Sequence, residues 1–268
     1  MSDTAFVGSI PDIYDDYLVP LIFEGYAEDL ARRTALLGAR DVLETAAGSG
    51  VVSRALARAL AAEARITVTD LNPPMIHRAR SRLADDARFA WQACDAQDLP
   101  FADGAFDAVV CQFGAMFFPD RVRGYAEALR VLRCGGAFFF NMWYRIETSP
   151  FADVVTQATS DAFPGNPTQF LARTPHGHGD TTQIRMDLAA AGFRHVRIET
   201  VTLESTAQSA RDVAVAYCQG TPLRGEIEAR DALRLEEITD AAEAAVAARW
   251  GAGPVTAPIT AHVIGARP

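Results

Sequence analysis

Three acids stand where an α/β sheet binds ligands. Glu44 lies near the end of the run DVLETA (41–46), Asp70 ends RITVTD (65–70), and Asp95 follows RFAWQAC (88–94). Each run reads as a strand, and a doubly wound sheet binds ligands beyond the carboxyl ends of its strands. A carboxylate ending the second strand can accept both hydroxyls of a ribose. One after the third can accept from an adenine amino group, while the next backbone amide, that of Ala96, reads the ring edge. Between Glu44 and the following helix lies Thr45-Ala46-Ala47-Gly48-Ser49-Gly50. Its small residues let backbone approach a ligand, and a helix N-terminus offers free amide donors. Each signal alone has a plainer reading. Glycine at a first strand–helix turn serves close packing, and aspartate after a strand serves as a turn or cap residue. Their order along successive strands is what points to one binding crevice.

Other residue groups carry weaker chemistry. His176-Gly177-His178-Gly179-Asp180 imitates a metal cluster, but alternate histidines share a side only in extended chain and no further ligand is evident. No metal is expected, and a flexible lid loop is the better reading. The two histidines are general-base candidates only through that placement, so no catalytic residue is assigned. Asn72-Pro73-Pro74-Met75 resembles a motif of amino methylation in DNA, yet it follows the second strand rather than the fourth and merely begins a helix. Cys94, Cys111, Cys134 and Cys218 lie far apart and read as reduced, mostly buried thiols. All 25 basic residues are arginine. That excludes the usual P-loop, kinase and pyridoxal-phosphate chemistries, each of which needs a lysine.

The elements that must position these residues alternate. Residues 11–37 read as helical, ending near Gly38, with Ile13, Leu18, Leu21, Ile22, Tyr26 and Leu30 at near-helical spacing. Helices are expected at 51–62, Pro73 to Leu83 and 120–132, the last ended by Gly135 and Gly136. Further strands are FDAVVCQF (106–113) and AFFFNMWY (137–144). A parallel sheet covered on both faces follows, a doubly wound α/β domain. Beyond it come one helix and a Pro/Gly/His loop (148–179), a helix (180–191) and strand HVRIETVTL (195–203). Residues 207–249 read as wholly helical, and VTAPITAHVIGA (255–266) as a last strand. The expected organisation is an N-terminal helical cap (1–38), a cofactor-binding core (39–146), and last strands with helical lid insertions at 148–179 and 206–252 (147–268).

With these motifs in place, the chain resembles the class I S-adenosylmethionine-dependent methyltransferases, in the small-molecule branch near the ubiquinone and menaquinone biosynthesis enzymes. The resemblance covers about residues 40–145 and rests on VLETAAGSG, VTDLNPPM, ACDAQDLPFADGAFDAVV and LRVLRCGGAFFF. It implies a seven-stranded Rossmann-like sheet and S-adenosylmethionine as cofactor, released as S-adenosylhomocysteine. Glu44, Ala46, Gly48 and Gly50 match the loop that holds the methionine part. Asp70 matches the ribose-binding acid, with Leu71 and Met75 flanking the adenine, and Asp95 with Ala96 match the adenine-edge pair. Cys111 to Phe113, including Gln112, match the segment past the sulfonium. Tyr14 falls where such enzymes bring an N-terminal helix over the cofactor carboxylate. Ala46 replaces the family's first loop glycine and strains the loop by about 1 kcal/mol if positive φ is required there.

Partners follow from charge and composition. A net charge of −9 argues against nucleic acid, since phosphate neutralisation needs clustered basic residues. No window approaches a spanning helix, and the start MSDTAFVGSI lacks the order of a signal peptide, so a cytoplasmic protein is expected. Tyr14, Tyr17, Phe23, Phe117, Phe118, Trp143 and Tyr144 suit an apolar or aromatic small-molecule acceptor, or simply a core. Two rivals remain. A nicotinamide oxidoreductase needs G-x-G-x-x-G, whose third glycine is Ser53 here. A non-catalytic cofactor-binding or scaffold protein would keep the same core.

Overall fold

The structure, a computed structural model, describes residues 10–83 and 86–268. The first nine residues, most of the stretch read for a signal peptide and part of the expected cap, lie outside the described residues. The chain opens with α1 (Ile10–Ile13), a π-helical run (Tyr14–Phe23) and α2 (Glu24–Leu36). Then come β1 (Asp41–Glu44), α3 (Val51–Ala59), β2 (Arg65–Asp70), α4 (Pro73–Arg82), β3 (Phe89–Ala93) and β4 (Phe106–Cys111). A 3-10 turn (Ala115–Phe117), α5 (Arg121–Val131) and β5 (Leu132–Trp143) follow. Next are α6 (Pro150–Asp161), α7 (Phe170–Arg173), α8 (Thr181–Ala190) and β6 (His195–Ala207). The chain ends with α9 (Ala210–Gln219), α10 (Leu223–Asp231), α11 (Leu235–Trp250) and β7 (Val255–Arg267). Among the described residues no helix is long and apolar enough to cross a membrane.

Seven strands form one sheet in the order β3-β2-β1-β4-β5-β7-β6. The pairs β1–β2, β1–β4, β2–β3 and β4–β5 are parallel, the doubly wound arrangement expected from the sequence. Val42, Leu43, Ile66, Val68, Ala108, Val109 and Val110 have no exposure, as strands covered on both faces require. The order reverses between β1 and β4, which opens a crevice at the carboxyl ends of those two strands.

The chain divides into two compact units. One holds the sheet, from Glu24–Met142, His178–Val201 and Ala261–Pro268. Within it α2 packs on α3, and α5 packs on α8. At the amino ends of its strands, Asp107 accepts from the amides of Arg40 and Asp41, both at 2.9 Å. Arg133 joins Asp107 (2.8 Å) to Asp41 (2.7 Å). The other unit is helical, from the chain up to Phe23, Trp143–Gly177 and Thr202–Thr260. There α11 packs against α9 and α6, and α9 against the π-helical run.

Three local expectations are corrected. The single helix over 11–37 is interrupted by the π-helical run, which contains Pro20. Proline has no amide to donate and crowds the carbonyl one turn back, so the regular ladder cannot persist. Gly135 and Gly136 do not end the preceding helix, which stops at Val131. They lie inside β5, where its register against β4 shifts from Phe106↔Leu132 to Ala108↔Ala137. Gly135 there adopts φ 86°, the left-handed geometry of a bulge. The stretch 207–249 is broken twice, by Pro222 ahead of α10 and by a 3-10 turn (Ala232–Arg234) ahead of α11.

On the α5 face of the sheet, Tyr125 lies against Phe138 (5.8 Å) and Phe140 (5.2 Å). Its hydroxyl is buried without a hydrogen-bond partner. Removing an unpaired buried hydroxyl relieves a desolvation penalty. Tyr125→Phe is therefore expected to leave unfolding free energy unchanged or to raise it by up to ~1 kcal/mol in urea titration. A loss above ~1 kcal/mol would mean the hydroxyl is hydrogen-bonded in solution.

Candidate cofactor site

The site is built at the carboxyl ends of β1, β2, β3 and β4. Adjacent strands β3, β2 and β1 bring Asp95, Asp70 and Glu44 to one rim. The loop between β1 and α3 alternates left-handed residues: Ala46, Gly48 and Gly50 have φ of 52°, 55° and 82°. The condition set for Ala46 is therefore met, and its methyl group carries the strain. Gly114, just past β4, makes room for it. A Cβ on Gly114 would stand 2.4 Å from the Cβ of Ala46. Gly50 is constrained twice, by its angle and by Ala79 of α4, 2.8 Å from any added Cβ. Phe113 is the other non-glycine residue at positive φ among the described residues, at 50°. These two strained residues follow β1 and β4, the strands that flank the reversal of order. Such strain persists only where surrounding structure enforces it, and it concentrates at ligand sites.

Each acid has its own environment. Glu44 is 1% exposed and accepts from the hydroxyl of Ser53 at 2.5 Å. The Ser53 backbone also bonds to it, so Glu44 closes the first turn of α3 from the end of β1. Asp70 accepts from the amide of Gly48 at 2.9 Å through Oδ2, and from that of Asn72 at 2.7 Å through Oδ1. Burial raises its pKa against these bonds. Asp95 accepts from the amide of Gln97 at 2.8 Å through Oδ1, the turn geometry of the plainer reading. No ion pair among the described residues involves Glu44, Asp70 or Asp95, in contrast to Asp41 and Asp107 at the opposite edge. Carboxylate lone pairs on Asp70 and Asp95 thus remain for hydrogen-bond donors of a ligand.

The remaining predicted residues fall around this rim or away from it. Leu71 follows Asp70 and is 56% exposed, an apolar surface beside the acid, whereas Met75 on α4 is buried. Ala96 and Gln112 are half-buried at the ends of β3 and β4. Cys111 is buried, and burial pushes its thiol up to about 11, so it is no nucleophile. Tyr14 belongs to the helical unit, on the π-helical run, with its ring 5.3 Å from Phe23. In that unit Phe23 meets Trp143 at 6.0 Å, and Trp143 meets His176 at 5.9 Å. His176 shares a 2.7 Å hydrogen bond with the carbonyl of Tyr144, and burial pushes its imidazole down to about 4. It is neutral at pH 7. His178 lies 3.3 Å from Arg121, which bonds Asp187 at 3.0 Å. Sequence reasoning missed Ser53 and Gly114. A glycine directly after a strand at the reversal of order was a signal for the last.

A methyl donor with a ribose and an adenine fits these residues. The left-handed loop gives a cradle that side chains would fill, Asp70 and Asp95 keep acceptor capacity, and exposed Leu71 offers a ring face. Residues 42–136 match the family described as a methyltransferase domain. The strand order and the acids at its rim agree with that match.

The sheet has the class I methyltransferase fold.

A demethylmenaquinone methyltransferase of Clavibacter sepedonicus is 40% identical over 105 residues, 39% of this chain and 42% of that protein. The ubiquinone/menaquinone biosynthesis C-methyltransferase UbiE of Geobacter sp. (strain M21) is 33% identical over 138 residues, 49% of this chain and 59% of that protein. The chain thus spans about two fifths of the length of the first curated relatives it matches. Among solved structures, the YcgJ protein of a Bacillus has a TM-score of 0.58 at 17% identity, covering 91% of this chain and 99% of that one. A Haemonchus contortus phosphoethanolamine N-methyltransferase 2, solved with S-adenosylhomocysteine, scores 0.57 at 16% identity, covering 98% and 61%. The [4+2]-cyclase SpnF scores 0.57 at 21% identity, covering 91% and 81%. At these identities the structural likeness shows the fold.

Glu44 gives this site a pH signature. Burial, and secondarily the charge of Asp70, push its carboxyl from 4.5 up to about 8. The folded protein holds a proton that the unfolded chain has released. This contribution to stability is complete below 4.5 and is lost as pH rises through about 8. Urea unfolding of the wild type is expected to show that decline between those limits, and Glu44→Gln to reduce it. Equal slopes in the two proteins would show that Glu44 ionises as freely folded as unfolded.

Proposed function

We propose that the protein transfers the methyl group of S-adenosylmethionine to a small-molecule acceptor. The observation that carries this reading is the ladder of Glu44, Asp70 and Asp95 at the ends of β1, β2 and β3, beside a left-handed loop that leads into a helix. Asp70 binds the ribose hydroxyls. Asp95, with the Ala96 amide, holds the adenine edge, and Leu71 and Met75 flank its ring. Ala46, Gly48, Gly50 and the first amides of α3 take the methionine end, and α3 has no side-chain cap on Gly50 that would compete. Glu44 acts through Ser53, holding loop and helix together, and is a positioning residue. Gln112 lies on the segment that passes the sulfonium.

The cofactor supplies a methyl group already activated by its sulfonium. The protein's own share is alignment of acceptor and methyl carbon in line, with water excluded. No proton need be removed unless the acceptor is a phenol or carbon acid. Two relatives are named as a demethylmenaquinone methyltransferase and a ubiquinone/menaquinone biosynthesis C-methyltransferase, and an acceptor of aromatic character is the reading taken for this chain. The rival nicotinamide reading is disfavoured by Ser53, whose hydroxyl is engaged with Glu44 where that fingerprint needs a glycine.

Thermal shift is expected to show stabilisation by S-adenosylhomocysteine and none by NADH. In calorimetric titration, Asp70→Ala should weaken S-adenosylhomocysteine by about 1.5–3 kcal/mol, tenfold or more. Unchanged affinity would remove Asp70 from the ribose role.

A further inference from the structure

One polar side chain in the sheet unit has no work in the fold. Asn141, near the end of β5, has no exposure, and neither its Nδ2 nor its Oδ1 has a hydrogen-bond partner. A buried carboxamide with both ends unsatisfied is costly, and native proteins keep such groups where a ligand or bound water completes them. A leucine has the same branched outline and would leave no unpaired polar group at this position.

Its position narrows what completes it. Phe138 and Phe140 point to the α5 face, where both meet Tyr125. Alternation along a strand therefore turns Asn141 to the opposite face. The last ladder pair between β4 and β5 is Cys111↔Phe140, so Asn141 stands level with Gln112, the first residue past β4. On that side, Tyr26 of α2 donates to the carbonyl of Val201 on β6 at 2.9 Å, while its ring meets Phe113 edge-on at 5.4 Å. Tyr26 thus reaches across the end of β5 yet directs its hydroxyl elsewhere. Asn141 lies one strand beyond the proposed methyl-donor segment, on the side away from Asp70 and Asp95.

We propose that Asn141 is an acceptor-binding residue that seats a neutral hydroxyl group of an aromatic or enolic methyl acceptor. This rests on the methyl-transfer reading given above. A hydroxyl both donates and accepts, so one such group answers the carbonyl and the amide of Asn141 together. A purely apolar acceptor would leave both unpaired.

The test uses the full chain, isotopically labelled for the side-chain amides and saturated with S-adenosylhomocysteine. Phenol, catechol and 2-naphthol are titrated as probes. At least one is expected to shift the Asn141 amide resonance and to bind tenfold or more weakly to Asn141→Leu. Asn141→Ala should show the same loss, should the leucine variant fold poorly. The thermal midpoint of Asn141→Leu without ligand is expected to equal or exceed that of wild type. The proposal is overturned if no probe moves the resonance, or if the probes bind wild type and variants alike. S-adenosylhomocysteine affinity should stay within twofold in both variants. Wild type that fails to bind S-adenosylhomocysteine would instead sink the methyl-transfer reading.

Discussion

The buried bond between Glu44 and Ser53 sets the geometry on which the cofactor site depends. It joins the last residue of a central strand to the first turn of the helix that follows, over a loop of six residues. A carboxyl with 1% exposure is held there against its desolvation, and protonation is the cheaper way to hold it. The loop between those two fixed ends has little freedom left. It turns through three left-handed residues, and one of them is an alanine that would be easier as a glycine. Strain at Ala46 is held in place by the Glu44–Ser53 bond on one side and by Gly114 on the other.

The electrostatic layout of the sheet separates structural acids from ligand-facing ones. At the amino edge, hydrogen bonds from Arg65 and Arg133 lower the pKa of Asp41, and backbone amides with Arg133 lower that of Asp107. At the carboxyl edge the three acids make no ion pair among the described residues, and burial raises Glu44 and Asp70. An adenosyl ligand brings hydroxyl and amino donors to such a rim rather than further negative charge. With Glu44 largely protonated near neutrality, the rim presents fewer negative charges than three acids suggest.

The two units divide the chemistry as well as the chain. The sheet unit carries ten of the eleven residues assigned to the cofactor, and Tyr14 is the exception. The helical unit gathers Tyr14, Phe23, Trp143 and a neutral His176 into a chain of ring contacts. Its residues come from three separate stretches of sequence. No local pattern could have grouped them.

What the sequence determined by itself was periodic or ordered along the chain. β-branched runs gave the strands, small residues after Glu44 gave the loop, and acids at successive strand ends gave the ladder, because strand and turn preferences are local. Element limits failed where a nonlocal partner overrode the local signal. Pro20 sits inside a helical run held by packing, and Gly135 belongs to a strand bulge rather than to a helix end. Only the tertiary structure decided that Ala46 is left-handed, that Gly114 yields to it, and that Glu44 is engaged by Ser53. It alone showed that Asn141 is buried without a partner. Each of these depends on the approach of residues distant in sequence or on a backbone angle fixed by its surroundings, and neither is written in residue type.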